Sequence, residues 1–260
     1  MNQVRPIRRQ LGALLLAAGV LGLADPAQFA LASSWSWGGG EHVRGSGTIG
    51  KQSRELGHFT ALSTSLGGNV EVRIGNTEGV TIETDDNLLP QIETVIENGT
   101  LRIRPMKKDV QLEPHSLKII VQARQVERIA VGGSATVDAD HLRGQKLQFD
   151  IGGSGAINVP NLESQSVSVS LGGSGNLKAS GNTEQLQISI GGSGKVNAGG
   201  LATRDATISI GGSGQATVWA KQSLNLTVAG SGDIAYYGDP QLTKSILGSG
   251  SVKRLGGAPQ

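Results

Sequence analysis

From residue 127 onward, apolar and polar residues alternate with a period of two on both sides of a recurring Gly-Ser-Gly. Such alternation belongs to half-buried strands, and the glycines mark tight corners between them. The tripeptide stands at Gly153-Ser154-Gly155, Gly173-Ser174-Gly175, Gly192-Ser193-Gly194, Gly212-Ser213-Gly214, Gly230-Ser231-Gly232 and Gly248-Ser249-Gly250, with a degenerate copy at Gly133-Ser134-Ala135. Three residues before each serine stand Val131, Ile151, Leu171, Ile190, Ile210, Val228 and Ile246; five before stand Ile129, Phe149, Val169, Ile188, Ile208, Leu226 and Lys244. Three residues after it stand Val137, Ile157, Leu177, Val196, Ala216, Ile234 and Val252. The positions between hold Ser168, Ser170, Gln187, Ser189, Thr207 and Ser209, so one strand face is apolar and the other is rich in hydroxyls and amides.

Successive serines are separated by 20, 20, 19, 20, 18 and 18 residues. That is the length of a coil, and registration over seven copies predicts an all-β protein, a parallel β-solenoid in which equivalent residues stack in ladders about 4.8 Å apart. Glycine supplies backbone freedom at the corner, and the serine can offer its hydroxyl to the adjacent coil. A single coil cannot offset its ordering entropy, so coils must stack, and the ends of the stack need protection. Lys244 and Arg254 enter otherwise apolar columns, which marks the last turn as a solvent-facing cap. An antiparallel sandwich is the competing architecture, but hairpin sheets have no need of one corner at nearly constant intervals.

Residues 52–125 show the same period more loosely. Phe59, Leu62, Val70, Val72, Ile74, Val80 and Ile82 alternate, the Asp85 to Pro90 segment interrupts, and strands resume at Ile92 to Ile96. Asn98-Gly99 predicts a tight hairpin turn into Leu101 to Arg104, and Leu117 to Val121 is a further strand. No segment carries an amphipathic helical pattern.

The N-terminus stands outside this fold. Arg5, Arg8 and Arg9 precede an apolar run over 11–23, and Ala30-Leu31-Ala32 offers a small-x-small cleavage site, so residues 1–32 read as a signal peptide. The run is short of the roughly 20 residues of a membrane span. Residues 33–51, with Trp35, Trp37 and Gly38-Gly39-Gly40, read as a flexible Ser/Gly-rich leader; the domain occupies 52–255 and a short tail 256–260. Removing the signal changes the charge: of 23 basic and 21 acidic residues, 20 of each remain. A basic composition is then no argument for nucleic acid, which is not an expected partner. The absence of cysteine excludes disulfides, thiol nucleophiles and thiolate metal sites.

Few residues carry a pattern of chemistry. Gly191-Gly192-Ser193-Gly194-Lys195 superficially resembles a phosphate loop, but Ser189 and Val196 break the motif and a strand follows. His42, His58, His115 and His141 have no ligand spacing, and each reads as an isolated surface residue. Asp85, Asp86, Asp138 and Asp140 read as solvated turn carboxylates in preference to calcium ligands. Glu71, Asp138, Asp150 and Asp205 are the acids that a polysaccharide-cleaving β-helix would use, although nothing in the sequence pairs them across a glycosidic bond. The repeated serines lack a local base and read as a ladder. No catalytic, cofactor-binding or metal-ligating residue is assigned.

Phe59-Thr60-Ala61-Leu62 with Val70-Glu71-Val72, the segment Asp85-Asp86-Asn87-Leu88-Leu89-Pro90, the turn Asn98-Gly99-Thr100-Leu101 and the series of corners together resemble the putative auto-transporter adhesin head GIN domain family over residues 55–255. The resemblance implies a right-handed β-helix in the periplasm, at the cell envelope or outside the cell, and implies no catalytic set. The expected function is a non-enzymatic, adhesin-like scaffold whose polar ladders bind an envelope protein or a glycan, with no transmembrane segment in the mature chain. The alternative is a carbohydrate-active β-helix enzyme.

Overall fold

The computed structural model describes residues 41–259. The expected signal peptide and both tryptophans of the leader lie outside this range. The strands are β1 (Glu41–Arg44), β2 (Ile49–Glu55), β3 (Ala61–Thr64), β4 (Asn69–Ile74), β5 (Gly79–Asp85), β6 (Ile92–Glu97), β7 (Thr100–Pro105), β8 (Val110–Glu113), β9 (Leu117–Ala123), β10 (Arg128–Val131) and β11 (Thr136–Ala139). They continue as β12 (His141–Ile151), β13 (Ala156–Leu171), β14 (Asn176–Ile190), β15 (Lys195–Ile210), β16 (Gln215–Gly230), β17 (Asp233–Tyr237), β18 (Gln241–Gly248) and β19 (Ser251–Gly256). A 3-10 turn at Leu89–Gln91 is the helical element among the described residues.

From β10 onward the fold is the expected parallel solenoid. Each coil pairs in parallel with the next, column on column: Phe149 with Val169, Val169 with Ile188, Ile188 with Ile208 and Ile208 with Leu226. The apolar columns turn inward and are buried as far as β17, while in the last coil Ile246 and Val252 are half-buried and Lys244 is exposed. Their alternation with exposed positions is that of strands covered on one face only. Pairing is interrupted at each Gly-Ser-Gly, and within the long strands the alternation of buried and exposed residues slips twice more, in β13 at Pro160-Asn161 and over 163–166. A coil therefore has three walls: the first runs up to the Gly-Ser-Gly, the second follows it, and the third leads from the second bend back to the first wall. The second bend absorbs changes in coil length: Ala198 pairs with Val218 but Asp205 with Ser223, the slack being taken up by a bulge at Gly199-Gly200-Leu201.

The first coils do not stack in chain order. β3 and β4 lie between β10 and β11 on one side and β7 and β9 on the other, so the later segment 100–123 lies outside the earlier one. Beyond it the pairing becomes antiparallel: β6 on β7 through the expected Asn98-Gly99 turn, with both residues at positive φ, and β5 on β9. β2 then pairs antiparallel with β5. The strands β7 and β9, which a parallel stack would leave bare at this end, are covered in this way. The part of the expected flexible leader that is described, 41–51, is not without structure, because β1 and the first three residues of β2 fall within it. β2 is one-sided and mostly exposed, and such a strand leaves no alternation to read.

At four of the six corners the first glycine is required by crowding and not by backbone freedom, whereas Gly230 and Gly248, at φ of +148° and +130°, meet both demands. Gly153, Gly173, Gly192 and Gly212 have no left-handed φ, yet a Cβ on any of them would collide with main-chain carbonyls of the preceding coil. For Gly192 those are the carbonyls of Gly173 and, at 2.7 Å, Gly172. The serine's contribution also differs from expectation. Ser154, Ser174, Ser193, Ser231 and Ser249 donate their main-chain N–H to glycine carbonyls of the preceding coil at 3.0 to 3.2 Å, while their side chains are exposed. The hydroxyls that tie coils together stand elsewhere: Ser251, just past the last corner, donates to the Asp233 carboxylate, and others sit on the third wall. Ser164 donates to the Gln145 carbonyl at 3.2 Å and Thr203 to the Glu184 carbonyl at 3.3 Å.

Candidate binding surface

The acids singled out by sequence fall on three different walls. Glu71 and Asp138 meet in register on β4 and β11, with Asp140 beside them. Glu71 accepts from Arg73 at 2.7 Å and faces Lys118 at 4.0 Å. The hydrogen bond from Arg73 is the main cause that holds the Glu71 carboxyl below its ordinary pKa, against an opposing effect of burial. Asp150 accepts from Arg128 at 2.7 Å on the first wall, and Asp138 accepts from the Asn158 amide at 3.2 Å. Asp205 lies on the third wall, its pKa lowered first by the hydrogen bond from Ser223 and then by that from Arg204.

Asp85 is no solvated turn residue. Its side chain is fully buried and accepts from the Gly47 N–H at 2.7 Å, the His115 N–H at 2.9 Å and the His115 ring at 2.9 Å. Burial pushes its pKa up, but the N–H groups of His115 and Gly47, together with the ring, outweigh burial and leave it lowered. Asp86 accepts from the Ser46 hydroxyl, and Asn87 exchanges hydrogen bonds with Ser46 and the Arg44 carbonyl. The Asp85-Asp86-Asn87 run thus straps the segment between β1 and β2 onto the cap. His42 and His58 pair with Glu113 and Glu78 at 2.7 and 2.8 Å. Among the described residues, no cluster of three metal-ligating side chains occurs.

The third wall carries a shallow groove of about 430 Å³ running across successive coils. Arg143 pairs with Glu163 one coil on, and Arg204 bridges Asp205 at 2.8 Å and Glu184 at 3.5 Å. Lys221 closes the row, its ammonium 5.2 Å above the Trp219 ring, a cation–π contact. Trp219 lies between the buried Val218 and Ala220 and therefore faces outward. On the next coil it pairs in register with Tyr237, whose ring reaches back over Gly199, 3.4 Å from the place a Cβ would take. A Cβ at 199 would press first on the Thr217 methyl, at 3.1 Å. Sequence reading missed this pair because the column six residues after the serine is irregular: Asp140, Pro160, Ser180, Gly199, Trp219, Tyr237, Leu255. Extending the columns by one position would have brought the two aromatics together.

The molecule is thus a parallel β-solenoid with exposed polar ladders and a small aromatic platform beside a charged groove. Residues 58–240 match the family model described as putative auto-transporter adhesin, head GIN domain, and the chain belongs to that family. Three solved structures share the fold. A putative adhesin from Bacteroides fragilis has a TM-score of 0.75 at 21% identity, covering 82% of this chain and 100% of its own. A protein from Parabacteroides distasonis described as a putative lipid binding protein has a TM-score of 0.70 at 23% identity, covering 83% and 100%. A putative adhesin from Parabacteroides merdae has a TM-score of 0.66 at 22% identity, covering 83% and 99%. Comparison with the curated proteins yields no match.

Proposed function

We propose that this protein is an exported, non-enzymatic binding scaffold, released from its signal after Ala32, that holds a glycan along its third wall. The observation carrying this reading is the register of Trp219 with Tyr237 at the end of the Arg143 to Lys221 groove. Aromatic faces with polar tips cover the apolar faces of sugar rings, and the neighbouring carboxylates, guanidinium groups and threonines supply hydroxyl partners. Repetition at about 4.8 Å suits an extended polymer, which can meet equivalent groups on successive coils. The family's adhesin description supports a binding role at the cell surface or outside the cell.

Two of the four candidate acids, Glu71 and Asp205, do not suit the proton-donating role. A glycosidase needs one carboxylic acid with a raised pKa. Glu71 and Asp205 are instead shifted downward by their cationic and hydroxyl partners.

The test is a glycan-array screen of the wild type and of Trp219→Ala and Tyr237→Ala, with circular dichroism melts of each. The reading expects saccharides bound by the wild type and lost by both variants at unchanged melting temperature. Absence of binding, or variants that bind as well as the wild type, would overturn the glycan assignment. Release of new reducing ends from a bound polysaccharide would overturn the non-enzymatic one.

A further inference from the structure

In the regular coils the corner between the first and second walls is a few residues long and is packed by the corner of the next coil. The outermost coil, β7 to β9, departs from this. Its chain leaves the stack after Pro105 and returns at Leu117, and the excursion carries β8, which hydrogen-bonds to β1 and not to the solenoid sheet. The first corner, Ser65-Leu66-Gly67-Gly68, therefore faces a flap where the other corners face backbone.

Between flap and corner lies a cleft of about 640 Å³. This is within the roughly 300 to 1,000 Å³ of small-molecule sites. Its floor is apolar: Leu66, Val110 and Leu117 are buried, and the half-buried Leu112 lines the flap side. β9, where the chain returns from the flap, rests on the first corner at Gly68, which has a φ of +97° and so little room that a Cβ would stand 2.6 Å from the Leu117 carbonyl oxygen.

The charged residues lining the cleft are both cations, Arg104 and Lys108, with no carboxylate among them. Arg104 is engaged by Glu93 at 2.7 Å and Glu97 at 3.0 Å. Lys108 is exposed and makes no ion pair among the described residues. An apolar floor with one uncommitted ammonium at its rim fits an apolar tail ending in an anion.

We propose that this cleft binds a monomeric single-chain anionic amphiphile, such as a free fatty acid, with its tail along Leu66, Val110, Leu112 and Leu117 and its carboxylate at Lys108. The site is independent of the third-wall groove.

The experiment is isothermal titration of the purified protein with octanoate, decanoate and dodecanoate below their micelle-forming concentrations. Binding should be one to one and tighten about fourfold per added methylene, the tail being buried. Lys108→Glu should weaken dodecanoate binding about tenfold or more, reversing a charge-assisted contact at the head. Leu112→Asp should weaken it further by placing a charge beside the tail, and dodecyltrimethylammonium should bind the wild type more weakly than dodecanoate does. No binding below the micellar range, or equal binding by wild type and Lys108→Glu, would overturn the site. Binding to anionic vesicles without binding to monomeric dodecanoate would overturn it too, making the face a membrane contact. Lys108 lies on the surface, so its variant keeps the test decisive even where Leu112→Asp fails to fold, and melts of each variant identify that case.

Discussion

Gly191 and Gly192 are adjacent, neither has a left-handed φ, and alanine should have opposite effects at the two. A Cβ at Gly191 meets nothing within 4 Å. At Gly192 it would press into the Gly173 carbonyl and stand 2.7 Å from the Gly172 oxygen. Both neighbours are main-chain atoms, held where they are by pairing along the whole coil. The Ser193 N–H donates to the same Gly173 carbonyl at 3.2 Å, so that oxygen cannot swing aside without losing a ladder bond. Relief requires prising two coils apart locally. Overpacking of this kind costs about 1 to 3 kcal/mol where side chains can adjust, and the upper end applies where they cannot. For a domain of this size about 3 kcal/mol lowers the melting temperature by roughly 6 to 12 °C. Gly191→Ala should be neutral or gain up to about 1 kcal/mol, because alanine restricts the unfolded chain without strain in the fold. Urea unfolding followed by far-ultraviolet circular dichroism reads both, provided the m-values match, since coils that unfold separately would invalidate a single free energy. Equal midpoints for the two variants would refute the claim that crowding, and not flexibility, selects glycine at the corner.

Asp85→Asn should loosen the strap between β1 and β2, seen as faster hydrogen exchange at the Gly47 amide and a lower melting temperature. The Asp85 pKa is depressed in the fold, so its stabilisation is complete above the unfolded value of about 4 and is lost as pH falls through the lower folded value. Melts between pH 7 and pH 2 should therefore narrow the gap between wild type and variant in acid, and a gap independent of pH would contradict the assignment. Lys244→Leu restores the apolar column, in register with Leu226, on the exposed β18, and should promote concentration-dependent association in size-exclusion chromatography relative to the wild type. Phe149→Ala removes one of the largest fully buried side chains and should cost about 3 to 5 kcal/mol in the same urea assay.

The columns around the Gly-Ser-Gly were legible because two constraints repeat identically in every coil. An inward side chain must be apolar, and a corner packed against the carbonyls of the last coil must lack a Cβ. Elements that meet a constraint only once left no such trace. The bend within β13 to β16 has no fixed residue: Pro160, Ser180 and Trp219 stand at the same count from the corner serine, yet bulges pair Ser180 with Gly200 and Trp219 with Ala202. The outward placement of β7 and β9 is a pairing choice between distant segments, and their own sequences would fit either side of β3 and β4. The burial of Asp85 was hidden for a related reason. A carboxylate in a turn looks solvated until the strap that covers it is known, and that strap is a Gly- and Ser-rich run with no periodicity of its own.

The same contrast locates function. The regular part of the solenoid uses its sequence to make every coil like the last, so residues that obey the columns carry little information about a ligand. The candidate surfaces arise where the repeat is broken. Trp219 and Tyr237 occupy a column that tolerates any outward residue, just after the bulge at Gly199-Gly200-Leu201 alters the register. The cleft over Leu66 exists because one coil sends out a flap where the others turn a corner. A ladder alone offers the same groups every 4.8 Å or so and cannot distinguish one segment of a partner from the next. Selectivity therefore has to come from the departures, and the residues to substitute first are those that the repeat does not explain.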